Sequence, residues 1–391
     1  MKILSLFLLL CGGMQLFGGG MTLEEAVQAS KTNGKPVLID FYAVWCGPCK
    51  QFKKASVKDS DIKALLGKVN LVMLDAEKGE GKVQAEKFNV KGYPTYVLAN
   101  SELESIYRFS GYEKAYFTEK LNEGLSDLRT IDAKLAHLKS HPEDSQLAAN
   151  MADFYRTQGM NDKALAFFEQ AEKYSKEKTY VAEMFSTRYS EWRRGQVKHS
   201  LSDMQGFAKR VFDSKKLGDA DKMHTANFMA DYCNREKLAD DQKTYISKGL
   251  KYASNMAAPD DYAQQVAKKL KIDEALLVSK DVAKAVELKK STLAENWMNN
   301  ADQLNNFSWW CFQNGVNLEE AASLAEKGVS ISEAGKQKAN VYDTLAEIQF
   351  ARGKTDLAIS AIKKAIEENP SNDHFKKQLE RFKKAAANNA S

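Results

Sequence analysis

The stretch that decides the fold is Val37-Leu38-Ile39-Asp40-Phe41-Tyr42-Ala43-Val44-Trp45-Cys46-Gly47-Pro48-Cys49-Lys50. Its first half, residues 37–43, is a near-continuous apolar run, which is typical of a central strand covered on both faces. Two cysteines follow at the point where this strand gives way to a helix. Pro48 fits the first turn of that helix, because a missing N–H costs little there. The stretch therefore predicts a buried strand and then a helix that begins with a dithiol.

The two cysteines can close into a disulfide, and this predicts thiol–disulfide exchange. The thiolate is the attacking form, and the N-terminus of a helix stabilises it through unpaired N–H groups and the helix dipole. We expect Cys46 to be more exposed and to act as the nucleophile, and Cys49 to resolve the mixed disulfide. Half of a zinc site is the alternative, but the chain has no second cysteine pair to complete four ligands. We predict no metal and no cofactor.

Helix and strand signals alternate over residues 21–126. Thr22 and Glu25 have the spacing of a capping box at the start of a helix, and Gly34-Lys35-Pro36 breaks the chain before the first strand. Further strands are predicted at 69–74, 95–98 and 105–109, and further helices at 83–88 and 116–125. This order predicts an α/β fold with a mixed sheet flanked by helices.

Residues 45–50 match the active-site motif of the thioredoxin family residue for residue, and the chain resembles that family over residues 22–126. The resemblance implies that Asp40 is a buried acid that assists proton transfer to and from Cys49. It also implies that Pro94 is a cis proline facing the dithiol. An Asp hydrogen-bonded at a strand edge and a trans proline at a strand entry are the structural alternatives.

The same resemblance implies a surface that contacts substrate, formed by Trp45, Gly47, Pro48, Tyr93 and Pro94. Trp45 could equally be a partly buried packing residue. Thioredoxins usually carry a lysine near the buried acid, early in the next strand. Here residues 71–74 read Leu-Val-Met-Leu, so tuning of the cysteines by that lysine is not expected. The stretches Lys35-Pro36-Val37 and Gly111-Tyr112 resemble exported thioredoxin-like domains, such as the soluble domain of membrane thiol transporters.

Apolar residues recur at helical spacing from about residue 127 onward. Two sets have the same successive gaps of three, four, five, four and three, namely Ala152, Tyr155, Gly159, Ala164, Phe168 and Ala171, and Ala346, Gln349, Gly353, Ala358, Ile362 and Ala365. A weaker copy is Ser308, Cys311, Gly315, Ala321, Ala325 and Gly328. The pattern resembles the tetratricopeptide repeat, a pair of antiparallel helices. Residues 177–290 match it poorly and are interpreted as degenerate helical hairpins. Trp309 and Trp310 are expected to pack between helices, with an aromatic groove for a peptide as the alternative.

The first twenty residues are predicted to be a signal peptide, because Lys2 precedes a short apolar run and Gly18-Gly19-Gly20 offers small residues for cleavage. We expect export to the periplasm or secretion, with lipid anchoring through Cys11 as an alternative. The predicted order is a signal peptide at 1–20, a thioredoxin-like domain at 21–126, a helical linker at 127–142, helical repeats at 143–382 and a disordered tail at 383–391.

The composition excludes a nucleic-acid-binding protein. The 57 basic and 52 acidic residues of the 391-residue chain give a net charge of +5, and the two signs interleave. The leading hypothesis is an exported thiol–disulfide oxidoreductase whose repeats hold protein substrates, with a membrane partner as electron donor because the periplasm is oxidising. The alternative is a repeat-based scaffold of an envelope complex that uses the redox domain for docking.

Overall fold

The structure is a computed structural model that describes residues 21–389. The predicted signal peptide and Cys11 lie outside these residues. None of the described helices is both long and apolar enough to span a bilayer. The chain divides into two compact units, Met1–Lys216 and Leu217–Ser391, and each is described by itself.

The first unit contains a four-stranded sheet that confirms the predicted mixed topology. Its strands, in the order β2-β1-β3-β4, are β1 Val37–Tyr42, β2 Asn70–Asp75, β3 Thr95–Ala99 and β4 Ser105–Ser110. Strand β1 is parallel to β2 and antiparallel to β3, and β3 is antiparallel to β4. The apolar run thus lies in an interior strand.

Five helices flank the sheet, α1 Leu23–Asn33, α2 Gly47–Lys58, α3 Ser60–Leu66, α4 Gly79–Lys87 and α5 Lys114–Ser126. The Thr22–Glu25 capping box is present at the start of α1. Helix α3 was not predicted as a separate element. It begins because the Asp59 side chain accepts hydrogen bonds from the backbone N–H groups of Asp61 and Ile62.

Both faces of β1 are buried, and alternate residues contribute to two different cores. Leu38 packs in a cluster with Phe52 of α2 and Phe117 of α5. Ile39 and Phe41 pack in the other cluster, which includes residues of α1 and α4. The sheet is therefore sandwiched between α2, α3 and α5 on one face and α1 and α4 on the other.

Residues 111–389 contain helices, turns and no strand, as the helical periodicity predicted. The first unit continues with α6 Ile131–Ser140, α7 Ser145–Arg156, α8 Asn161–Tyr174, α9 Val181–Arg193 and α10 Leu201–Asp213. The second unit contains α11 Asp219–Arg235, α12 Ala239–Asn255, α13 Asp261–Asp273, α14 Val282–Lys290, α15 Ala301–Asn314, α16 Leu318–Ile331, α17 Lys336–Ala351, α18 Thr355–Glu368 and α19 Asp373–Asn389, with a π-helix at Glu274–Val278 and a 3₁₀ turn at Trp297–Asn299.

The three repeat copies found in the sequence are helical hairpins of the tetratricopeptide-like type. They are α7–α8, α15–α16 and α17–α18. At each turn a glycine adopts a left-handed backbone conformation, with φ of 74° at Gly159, 64° at Gly315 and 75° at Gly353. Only glycine adopts this conformation without strain from a Cβ atom, so the glycine of the repeat pattern marks the turn.

The intervening region also forms hairpins, although the repeat pattern does not mark all of them. Gly195 has φ of 69° between α9 and α10, but the turn between α11 and α12 places Lys237 at φ of 60°. Because a lysine occupies the turn position, the sequence lacks the glycine that identified the other hairpins. Helices still pack closely here, since a Cβ added at Gly249 of α12 would lie 2.8 Å from Leu270.

The helices after residue 126 are joined to the α/β domain by buried cations. Arg108 of edge strand β4 donates to the backbone oxygens of Phe88 and Asn89, and to that of Thr157 just after α7. Lys134 of α6 is buried and donates to the Ile106 oxygen at 2.7 Å. The compact division therefore falls after Lys216, and not at residue 126 where the sequence ends the α/β domain. The predicted linker is a packed helix that covers a sheet edge.

The chain end also differs from expectation. Helix α19 continues to Asn389, across most of the tail that the sequence predicts to be disordered from residue 383. Phe375 and Phe382 are buried in the core of the second unit, and Arg381 pairs with the buried Glu347 of α17. These contacts hold α19 in place up to residue 382, and the helix continues from there to Asn389.

We predict that Arg108→Met destabilises the first unit by about 2–4 kcal/mol, because three backbone oxygens lose their donor. Arg108 is 2% exposed, and burial lowers its pKa to about 10. Because the site is buried, water does not readily replace the lost hydrogen bonds. Urea unfolding of the full chain, with β4 followed by pulsed hydrogen exchange, measures the effect. Arg129→Met removes an exposed arginine of the same unit and should change the midpoint little. If both substitutions lower the unfolding midpoint equally, Arg108 does not join the helices after residue 126 to the α/β domain.

Candidate active site

The dithiol lies at the start of α2, directly after the strand that carries Asp40. Helix α2 begins at Gly47, one residue later than the sequence predicted, and Cys46 is its N-cap. The two sulfurs form a disulfide with a Cα–Cα distance of 5.3 Å. The backbone N–H of Cys49 donates to the Sγ atom of Cys46 at 3.2 Å. This hydrogen bond and the helix N-terminus both favour negative charge on the Cys46 sulfur once the disulfide is reduced.

The expected difference in exposure between the cysteines is absent in the disulfide form. Cys46 is 4% exposed and Cys49 is 3% exposed, whereas the sequence led us to expect Cys46 to be clearly more accessible. The reason is that both sulfurs pack with Ala43, and that Tyr42 and Tyr93 cover this cluster. The N-cap position of Cys46, rather than its exposure, distinguishes the two sulfurs.

Asp40 is a fully buried acid in the middle of β1. It is 0% exposed and lies opposite Met73 of β2 and Tyr96 of β3. Neither carboxyl oxygen has a hydrogen-bond partner among residues 21–389. Burial raises the pKa of Asp40 to about 8, because an apolar environment disfavours the charged form.

Strand alternation places Asp40 on the dithiol side of the sheet. Side chains at i and i+2 share a face, so Asp40 shares its face with Leu38 and Tyr42. Leu38 packs with Phe52 of α2, and Tyr42 packs with the cysteines. The acid therefore lies beneath the helix that carries the dithiol. Met73 occupies the neighbouring position on β2. Strand β2 therefore brings no lysine to Asp40.

The loop before β3 borders the dithiol through Tyr93. The Tyr93–Pro94 peptide bond is cis, the geometry that the family resemblance implied, and Pro94 is buried. The Tyr93 ring packs against the cysteine cluster. The Pro94 carbonyl accepts a hydrogen bond from the Gly111 N–H at 2.9 Å, which ties the loop to the residue that follows β4.

An exposed apolar surface surrounds the buried sulfurs. Trp45 is 65% exposed and Val44 is 55% exposed, and Gly47 and Pro48 are also exposed. The Trp45 ring contacts Tyr93 edge-on at a centroid distance of 5.9 Å. The residues that the sequence assigned to substrate contact, apart from the buried Pro94, thus line or border one face of the domain.

Sequence reasoning missed Glu77. Its carboxylate accepts hydrogen bonds from the Trp45 indole N–H at 3.0 and 3.1 Å, and so holds the ring in place beside the cysteines. Asp75 accepts from the Glu77 N–H at 3.1 Å and shapes this turn. No motif marks Glu77, because it reaches Trp45 across the fold from the loop after β2.

The remaining described cysteines do not belong to this site. Cys233 and Cys311 are buried in helices of the second unit, and burial raises the pKa of each thiol to about 12. Thiols of this kind are inert in exchange. Within residues 21–389 no group of three or more His, Cys, Asp or Glu side chains is arranged to hold a metal ion.

We predict that Asp40 makes the stability of the α/β domain fall as pH rises from about 4 to 8. The folded state keeps the Asp40 proton up to about pH 8, whereas the unfolded chain loses it near pH 4, so stability is lost across this window. Between pH 5 and pH 8 the loss from this group is on the order of 3 kcal/mol. Asp40→Asn should remove that pH dependence.

The measurement is urea unfolding at pH 5 and pH 8, with β1 read by pulsed hydrogen exchange. Asp132→Asn, at an exposed position on α6, is the matched control and should leave the pH dependence unchanged. An Asp40→Asn protein that loses as much stability as the parent between the two pH values would show that Asp40 titrates normally.

Comparisons with known proteins agree with this geometry. A family model described as thioredoxin-like matches residues 20–101. The thiol:disulfide interchange protein DsbD of Ralstonia nicotianae is 30% identical over 96 residues, which is 24% of this chain and 16% of that protein. DsbD of Yersinia pestis is 38% identical over 80 residues, which is 20% of this chain and 13% of that protein. This chain thus matches about a sixth or less of the length of these relatives.

For the helical region, the crystal structure of a tetratricopeptide repeat protein from Parabacteroides merdae aligns with 64% of this chain and 90% of its own. The TM-score is 0.38 and the identity is 15%. The family match, the mixed sheet and the cysteine pair at the start of α2 together identify residues 20–101 as a thioredoxin-like domain.

Proposed function

We propose that this protein is an exported thiol–disulfide oxidoreductase that exchanges disulfides with partner proteins. The observation that carries the proposal is the Cys46–Cys49 pair at the N-terminus of α2, above a buried acid whose pKa is raised to about 8. A general acid or base works best when its pKa lies near the working pH. The names of the two DsbD relatives support this chemistry, and the apolar run after Lys2 supports export.

The proposed reaction uses each group in turn. The Cys46 thiolate attacks one sulfur of a substrate disulfide, that S–S bond breaks, and the departing substrate sulfur takes up a proton. The ionised form of Asp40, a minor fraction below pH 8, accepts the proton of the Cys49 thiol, and the Cys49 sulfur then attacks Cys46. The second substrate sulfur leaves as a thiolate and takes up a proton from solvent, and Asp40 returns its own proton to solvent. Two electrons pass to the substrate, and the Cys46–Cys49 disulfide forms. A dithiol protein of the membrane returns the pair to the reduced state.

The surface around the dithiol fits a protein substrate. Trp45, held by Glu77, and the exposed Gly47 and Pro48 border the sulfurs. An exposed apolar surface beside a reactive group is suited to an extended chain that brings a disulfide with it. The helical repeats, part of which belong to the same compact unit as the dithiol, would hold the rest of that partner.

We predict that the protein reduces insulin disulfides with dithiothreitol as the electron source, and that Cys46→Ser abolishes this activity. Cys233→Ser is the matched control, because it removes a buried thiol from the second unit and should leave the rate unchanged. The readout is the rate of insulin precipitation, with circular dichroism to verify folding. If Cys46→Ser and the parent protein have equal rates, the enzymatic proposal is wrong and the scaffold hypothesis gains support.

A second experiment identifies the partners. Cys49→Ser removes the resolving thiol, so substrates should remain attached to Cys46 as mixed disulfides. Mass spectrometry of adducts from cells that export the variant would name them. A Cys46→Ser, Cys49→Ser double variant should give no adducts, and adducts that persist in it would contradict attack by Cys46.

A further inference from the structure

A large cavity lies within the second unit, where the stacking of helical hairpins is interrupted. The hairpins α11–α12 and α15–α16 are separated by α13, the π-helix Glu274–Val278 and the short helix α14. The cavity has a volume of about 950 Å³, and residues of α11 to α15 line it. This volume is at the upper end of the range for ligand sites, roughly 300–1,000 Å³.

The interruption itself shapes the cavity. A small core of Ala275, Leu276 and Ala285 joins the π-helix to α14, and Trp310 of α15 packs against it. Leu277 of the π-helix and Trp310 both reach the cavity wall. A π-helical segment inserts an extra residue per turn and is frequent at functional sites. Trp310 thus belongs both to the helix packing and to the cavity wall.

Five carboxamide side chains line the cavity beside its charged residues. Each offers both donors and acceptors, which is what the alternating N–H and C=O groups of an extended peptide require. The Asn314 amino group is bonded to the Trp310 carbonyl at 2.8 Å. The side-chain amides of the other four residues make no hydrogen bond within the described part of the chain. These residues are Asn234, Gln242, Gln265 and Gln313.

The charges on the wall do not balance. Its two acids are already paired, since Asp273 accepts from Lys269 at 2.7 Å and Asp231 from Arg235 at 3.1 Å. Lys268 and Lys289 form no ion pair with any residue from 21 to 389. Lys289 lies 5.9 Å from the centroid of the Trp310 ring, and its partial burial lowers its pKa, so an anion beside it would be favoured.

We propose that this cavity binds an extended acidic segment of a partner protein. Carboxylates of the segment pair with Lys268 and Lys289, its backbone bonds to the carboxamides, and an apolar side chain lies on Trp310 and Leu277. The proposal rests on the proposed function only in giving the helices a protein partner, and it does not require the dithiol. Two uncompensated lysines are too few for a nucleic acid, whose binding depends on many phosphate contacts.

The test uses fluorescence anisotropy with a labelled seven-residue peptide of alternating glutamate and leucine, and the full-length protein. The parent protein should bind this peptide and should bind a glutamine-for-glutamate version at least about tenfold more weakly. The Lys268→Glu, Lys289→Glu double variant should lose at least about tenfold in affinity for the acidic peptide. Lys363→Glu, an exposed lysine of α18 outside the cavity, is the matched control and should bind like the parent.

Three outcomes would overturn the proposal. The parent protein does not bind the acidic peptide, it binds both peptides equally, or Lys363→Glu weakens binding as much as the double variant does. The insulin assay on the same samples separates this proposal from the enzymatic one. The double variant should reduce insulin at the parent rate, and a parent protein that reduces insulin without binding the peptide would leave the enzymatic proposal intact.

Discussion

The buried carboxyl group of Asp40 is the constraint on which the site depends. A carboxylate without a hydrogen-bond partner is costly in an apolar interior, and a protein meets that cost by keeping the group protonated. Here the interior is dry because β1 is flanked by two strands and packed on both faces. The same packing that makes the fold therefore raises the pKa of the acid toward neutral pH.

The dithiol adds the opposite electrostatic preference a short distance along the chain. At the N-cap of α2 the Cys46 sulfur receives an N–H hydrogen bond and the field of the helix. The Cys46 sulfur, which follows β1, thus favours negative charge, whereas the carboxyl group of Asp40 within β1 disfavours it. In the mechanism that we propose, this difference allows a proton to move between Asp40 and Cys49 while the sulfurs exchange electrons. Glu77 holds the Trp45 ring through a hydrogen bond, and Tyr93 packs against the cysteine cluster.

The helices after residue 126 are attached to the sheet at its edge strand β4. An edge strand offers unpaired backbone groups, and buried Lys134 satisfies one of them while Arg108 reaches past the sheet to Thr157. As a result the first repeat hairpin and the redox site belong to one compact unit. The second unit departs from regular stacking at its π-helix, and that departure, rather than the repeat itself, creates the large cavity lined by Trp310.

The sequence predicts most of what depends on short-range patterns. Four features could be predicted because each consists of adjacent or regularly spaced residues. They are the apolar run of β1, the cysteines at the start of α2, the capping box at Thr22 and the glycine turns of three hairpins. The contact of Glu77 with Trp45 could not be predicted, since it forms only through the folded loop. The hairpin turn at Lys237 lacks the usual glycine. The joint at Arg108 depends on a helix about 50 residues further along the chain, which no local pattern reports.

The most direct test of the central claim is a titration of the Asp40 carboxyl carbon by ¹³C nuclear magnetic resonance in the oxidised full-length protein. Asp40→Asn identifies the signal. The account predicts that this carbon titrates with a pKa near 8. A midpoint near 4 would show that water or a partner solvates the carboxylate, and would contradict both the dry site and the proton transfer built on it.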